Sequence, residues 1–244
     1  MNAFVVVAAE LYKQKRGVMW LLVIGGPLLV LGLDFFDLYL RYDYLFSRYR
    51  SEMTSWEILL RENHFFWFFF LPIGITLVST VIHFREFSDN AWKQLLSLPV
   101  RRANVYLSKW FLTVLLSWFA ITVAGMGMVL VGKAIGFPEA ADYSLFFAYI
   151  MNQYAAILGI VSIQHWLSSR CKNVIIPVAI GICGSVCALF FAQSGIGPYI
   201  PYSSLVFTAP LAGEDTQPVV WGGLITGIVA LFAGMIEFQK RDIV

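Results

Sequence analysis

The residues that could do chemistry in this chain are few, and their spacing suits docking better than bond making. Between Ser88 and Pro99, the apolar residues Trp92, Leu95, Leu96 and Pro99 recur at i, i+3, i+4 and i+7. Asp89, Lys93, Gln94 and Ser97 take the opposite face, with Asp89 and Lys93 paired at i, i+4. Ser88 is placed to cap this helix, and Leu98, standing before Pro99, ends it. Arg101 and Arg102 follow at once, suited to anionic lipid or an acidic protein surface. On the residues alone, a plain interfacial linker and a docking element fit equally well.

No catalytic constellation accompanies this segment. There is no phosphate loop of the G-x-x-x-x-G-K-[ST] type and no H-E-x-x-H pair. His64, His83 and His165 fall at the ends of apolar runs, far apart in sequence, and read as interfacial residues. Cys171, Cys183 and Cys187 show neither zinc nor disulfide spacing, and Cys183 and Cys187, four apart on one apolar run, read as small apolar residues. Asn152 and Gln153 are the polar pair at mid-depth of an apolar run. They could touch a cargo, or hydrogen-bond neighbouring helices. No ionisable residue is expected near a span centre, which disfavours an ion-coupled carrier.

The elements that must position these residues are membrane helices. The chain of 244 residues is 59% hydrophobic and only 13% charged, against about 25% for a soluble domain, which makes it an integral membrane protein. A net charge of +2 argues against nucleic acid as a partner. Six apolar runs, roughly 18–36, 64–84, 110–132, 143–167, 174–192 and 219–238, each approach the ~20 residues that cross a bilayer. None alternates as barrel strands do, so the expectation is an all-α protein with six transmembrane helices. Twelve of the 17 lysines and arginines collect on one side, together with both termini and Arg85–Lys109, and that side is predicted to be cytoplasmic.

Ahead of the first span, Phe4, Val7, Ala8 and Leu11 follow helical spacing and predict a short interfacial helix with its apolar face in the membrane. Residues 37–63 predict an outer loop rich in Tyr, Arg and acids, with Asp34 counted among its six acids. It reads as a folded cap or as the exit of a path. The run Phe65–Phe70 predicts an aromatic belt. The segment 193–218, dense in proline, predicts an irregular connection with a short re-entrant piece. Gly223, Gly227, Ala230 and Gly234 form a small-residue stripe suited to close packing.

Glu86, Trp92, Lys93, Leu95, Leu96, Ser97, Leu98, Pro99, Val100, Arg102, Tyr106, Leu107, Ser108 and Lys109 together resemble the cytoplasmic motif of ABC-2 type permeases. The branch that includes lantibiotic (bacteriocin) immunity and bacitracin efflux is the most similar. Glu10, Lys13, Lys15, Arg16, Trp20 and Pro27 at the start of the first span, and Phe238–Ile243 at the end, resemble the same branch. Asn90 departs from it, standing where relatives often have Gly. The resemblance implies that Ser88–Pro99 is a cytoplasmic coupling helix between spans 2 and 3, seated in a separate ABC ATPase dimer. Glu86, Ser88, Asp89, Trp92, Lys93, Leu95, Leu96, Leu98, Pro99, Arg101 and Arg102 would form that contact, and Ser169, Arg170, Lys172 and Asn173 a second, smaller one. Glu86 would orient the helix through Arg85, Arg101 or Arg102.

On this resemblance the chain is not an enzyme and holds no cofactor of its own, with ATP and Mg on the ATPase. It pairs with a second permease, identical or homologous, as a multi-pass protein of the bacterial plasma membrane. The expected cargo is hydrophobic or amphipathic, an antimicrobial peptide exported for self-immunity, passing Asn152 and Gln153. Export of another drug, a lipid-linked glycan or sodium is the alternative within the fold. A non-transporting sensor or scaffold subunit and a membrane-embedded enzyme are the alternatives outside it.

Overall fold

The computed structural model describes residues 3–14, 17–49, 52–88, 101–211 and 215–241. It is an all-α integral membrane protein, in which every regular element among the described residues is helical. The short α1 (Ala3–Lys13) precedes a π-helical turn, Leu21–Gly25, that runs into α2 (Gly26–Tyr49). Then follow α3 (Ser55–Ser88), α4 (Arg102–Ile135), α5 (Tyr143–Arg170), α6 (Ile175–Ala192) and finally α8 (Gln217–Lys240). The short α7 (Pro201–Ser204) lies between two single 3₁₀ turns in the connection from α6 to α8. Six helices, from the one beginning at Leu21 to α8, are long and apolar enough to cross a membrane.

The π turn has a local cause. Pro27 has no N–H to give the carbonyl four residues back, so the ladder changes register just before it. α3 carries Pro72 in its interior and stays one helix, with the Thr76 hydroxyl donating to the Pro72 carbonyl at 2.8 Å.

Two helices outrun the bilayer. α3 and α4 have 34 residues each, well beyond the ~20 that hydrocarbon requires, and α2 continues to Tyr49. The expected loop 37–63 is therefore mostly helix, bent at Arg41, where the backbone leaves helical geometry. It forms a cap. Gly136 ends α4 in the left-handed region at φ 86°, which turns Phe137 back against Trp56 and Phe46. The Trp56 indole N–H donates to the Glu139 carbonyl at 3.1 Å, and Arg61 lies over the Tyr49 ring. Longer helices also move Asp34. It sits well inside α2, fully buried, rather than among the acids of a surface loop.

The small-residue stripe of α8 packs on α5, the most extensive helix pair among the described residues. A Cβ at Gly223 would stand 2.2 Å from the Ala155 carbonyl oxygen, so only glycine allows that backbone approach. The proline-rich connection dips back between the spans: Gln164 of α5 donates to the Tyr202 hydroxyl at 2.5 Å, some six residues or ~9 Å from the end of α5. The aromatic run divides by helical phase. Trp67 and Phe68 are buried, while Phe65 and Phe70 face outward.

α1 departs from the amphipathic expectation. Its inward side is mixed: Glu10 is buried against charged partners, Leu11 packs on the apolar cluster that includes Met19 and Val23, and Ala8, expected on the apolar face, is exposed.

Candidate functional site

The charges that receive α1 come from three separate segments. Glu10 and Lys13 stand one turn apart on α1, Glu86 in the last turn of α3, and Lys109 in the second turn of α4. Lys109 Nζ donates to Glu10 Oε2 at 2.7 Å and to Glu86 Oε1 at 2.9 Å. Lys13 Nζ donates to Glu10 Oε1 at 3.0 Å and to Glu86 Oε1 at 2.8 Å. Two acids and two bases alternate, so the cluster is neutral. Lys109, Glu10 and Glu86 are buried, and the Lys13 side chain keeps 42% of its exposure.

Such burial is costly unless complete. Each buried ion loses several kcal/mol of hydration, and only a full set of opposite partners offsets it. For Lys13, partial burial pulls the pKa down, but the hydrogen bonds and charges of Glu86 and Glu10 outweigh it and hold the group above its ordinary value. Arg85 adds a further tie, donating to the Lys13 carbonyl at 2.7 Å, and Gly17 leaves room for its guanidinium.

This cluster lies at the roots of the segment that the sequence singled out. Asp89, Trp92, Lys93, Leu95, Leu96, Leu98 and Pro99 lie outside the described residues. Ser88 ends α3, its hydroxyl donating to the Arg85 carbonyl at 3.1 Å. Arg101 is exposed in extended backbone just before α4. Arg102 donates to the carbonyls of Gln239 at 3.3 Å and Arg241 at 2.9 Å. The Arg241 guanidinium in turn reaches the carbonyls of Ser169 at 3.4 Å and Arg170 at 3.0 Å. The two basic connections named from the sequence are thus bridged by the end of α8. Lys172 and Asn173 are exposed beside them, the Asn173 side chain accepting from the Ile175 N–H at 2.9 Å. Arg170 pairs with Glu237 at 3.5 Å, and Trp166 donates to the same carboxylate at 2.8 Å.

One expectation changes. Glu86 is not oriented by Arg85, Arg101 or Arg102. It points into the bundle toward two lysines, while Arg85 and Arg102 spend their donors on backbone carbonyls. Buried acids recruit buried bases, and Lys109 sits one helical turn inside the bundle, where a chain-end arginine does not reach.

The histidines turn toward protein partners. His83 and His165 are buried with ring centroids 4.7 Å apart, and Tyr106 stacks edge-on to His165 at 4.3 Å. At the opposite end His64 contacts the Tyr149 hydroxyl at 3.0 Å and the Val206 carbonyl at 2.9 Å. The mid-depth pair splits between two directions. Asn152 donates to the Thr208 carbonyl at 3.1 Å, and Gln153, buried, accepts from the Trp67 indole at 2.9 Å. Both tie their helix to neighbours. Cys183 and Cys187 are exposed on the outside of the bundle, with Cys171 partly covered, and all three are free. Among the described residues, no three His, Cys, Asp or Glu side chains gather as a metal site.

Sequence reasoning missed the Glu10–Lys109 link, for which the one local signal was Glu10 and Lys13 at i, i+3. A family model described as ABC-2 family transporter protein matches residues 6–188, most of the chain. No curated protein matches it.

Proposed function

The chain belongs to the ABC-2 transporter family and is a membrane-embedded permease subunit; we propose that it serves an ATP-driven exporter whose work enters through residues 89–100. The observation that carries this reading is the buried cluster Glu10–Lys13–Glu86–Lys109. It clamps both roots of that segment, α3 at Glu86 and α4 at Lys109, to α1. A push delivered to the segment by a bound ATPase would then move α1, α3 and α4 as one body. The bridge from Arg102 through Arg241 to Ser169 and Arg170 would carry the same displacement to the second connection.

In this reading the basic end faces the cytoplasm of a bacterial cell, and an ABC ATPase dimer holding ATP and Mg docks there. Trp92, Leu95 and Leu96 would fill its cleft, and a second permease, identical or homologous, would complete the complex. The cargo is amphipathic, an antimicrobial peptide removed for self-immunity, which suits spans rich in aromatics. The decisive experiment replaces Leu95 or Leu96 with Asp in the assembled complex. ATPase docking and export should be lost together; docking that persists with export intact overturns the coupling role. For the cargo, the reconstituted complex should raise its ATP hydrolysis when amphipathic peptides are added. An unchanged rate across such peptides removes the peptide assignment and leaves the coupling role standing.

A further inference from the structure

The far half of the bundle holds a second buried carboxylate, and among the described residues no base pairs with it. Asp34 of α2 and Asn63 of α3 are both wholly inaccessible. The Asn63 side-chain amide donates to Asp34 Oδ2. The other oxygen of each head, Asp34 Oδ1 and Asn63 Oδ1, is buried with no hydrogen-bond partner among the described residues.

Among the described residues the surroundings offer no compensation. On α2 the neighbouring charges are Asp37 and Arg41, paired with each other at 3.0 Å, and that arginine is half exposed. α3 brings Glu62, a further acid, and His64, whose two nitrogens are taken by Tyr149 and Val206. α5 brings the Tyr149 hydroxyl. Residues 110–132 of α4, which packs on α2, carry no ionisable side chain. An ionised carboxylate here would lose its hydration, gain repulsion from Asp37 and Glu62, and leave two acceptors empty.

A single proton removes all three penalties. Placed on Asp34 Oδ1, it neutralises the charge and turns that oxygen into a donor. The acceptor this requires is the unpartnered Oδ1 of Asn63, on the same amide that already donates to the other carboxyl oxygen. Two planar heads joined by two hydrogen bonds leave neither oxygen unsatisfied.

We propose that Asp34 and Asn63 form an intramembrane proton-holding site, whose ligand is one proton kept on the Asp34 carboxyl and shared with the Asn63 carbonyl. The site latches α2 to α3. Separation of the two helices admits water, and the carboxylic acid then gives its proton to that water as a simple acid dissociation. The assignment is independent of the cargo and of any ATPase, so it is tested on the full-length chain alone, purified in lipid nanodiscs.

Infrared difference spectra between wild type and Asp34→Asn at about pH 7 should show the loss of one protonated carboxyl stretch per chain, displaced when water is exchanged for deuterium oxide. Asn63→Leu should move that stretch without abolishing it. If Asp34→Asn instead removes carboxylate bands, with or without added sodium, Asp34 is ionised and the proposal falls. Wild-type protein labelled with carbon-13 at its aspartate carboxyls gives the answer without any substitution: a protonated signal must persist at about pH 7, and its absence overturns the site. Because the folded chain would keep a proton that the unfolded chain releases, wild-type stability should fall from about pH 6 to about pH 8 more than that of Asp34→Asn. Equal slopes overturn it too.

Discussion

The two ends of the bundle bury carboxylates in opposite ways. At the basic end, Glu10 and Glu86 face Lys13 and Lys109, and every charge has two partners of opposite sign. At the far end, Asp34 faces an amide and two further acids and, among the described residues, no buried base. The first arrangement is a neutral knot of full charges drawn from three helices, strong only while complete. The second is a two-residue contact between neighbouring helices whose charge state depends on solvent.

The largest effect should come from the centre of the knot. Lys109→Met leaves Glu10 and Glu86 facing one another with only the half-exposed Lys13 between them, and should cost about 3–5 kcal/mol. Unfolding of the purified chain by denaturant in detergent measures it, and a loss under about 1 kcal/mol would mean that the charges are not buried within the bundle. The same assay on Lys13→Met tests whether burial or the number of ion pairs decides the outcome. Lys13 touches the same two carboxylates, yet its side chain keeps 42% exposure, so water screens it and its loss should cost ~1 kcal/mol or less. Equal losses at the two lysines would erase that distinction. The raised pKa of Lys13 means that, while Glu10 and Glu86 are ionised, its contribution is fully present below the ordinary lysine value of ~10.4 and is lost as pH rises through the higher folded one. Stability changes between neutral pH and pH 9 should therefore survive Lys13→Met unchanged.

Sharpening the far side of the comparison calls for a smaller effect. Asp34→Asn keeps the hydrogen bond to Asn63 and removes no needed charge, so its cost should stay within about 1 kcal/mol. A loss as large as that of Lys109→Met would make the two ends alike and identify a counter-charge for Asp34.

Much of the fold was legible because hydrocarbon imposes a single backbone solution: six apolar runs had to become six helices. The stripe Gly223, Gly227 and Gly234 pointed correctly to close packing, since glycine spacing is a local property. The helix ends were not legible. Arg41, Tyr44, Arg48 and Arg61 look like loop residues, but helices reaching past the bilayer carry such residues when a folded cap holds them. Nor could the knot be read. Lys109 counts as one more surface cation until α1 is laid against α4, and its partners are 99 and 23 residues away. Asn152 and Gln153 stood out as polar, but their partners Thr208 and Trp67 lie on segments whose depth no local pattern sets. Asp34 was hidden by the same error of length that shortened α2.

Asp142 supplies a third kind of carboxylate and the smallest expected effect. It caps α5 from the surface, accepting from the Ser144 hydroxyl at 2.7 Å and from the N–H groups of Ser144 and Leu145 at 3.0 and 3.1 Å. The Ser144 hydroxyl, then the Leu145 N–H, hold its pKa below the ordinary aspartate value. Its contribution is therefore complete above about pH 3.9 and disappears as pH falls through the lower folded value, opposite in sign to that expected of Asp34. Asp142→Ala should leave global unfolding nearly unchanged, because α5 is held by its packing against α3 and α8. The loss should instead appear as faster amide exchange confined to the first turn, at Ser144 and Leu145. Exchange accelerated deeper in the helix, at Tyr149 or Gln153, would show that this cap supports the far-end polar contacts and that the surface and buried carboxylates act as one system.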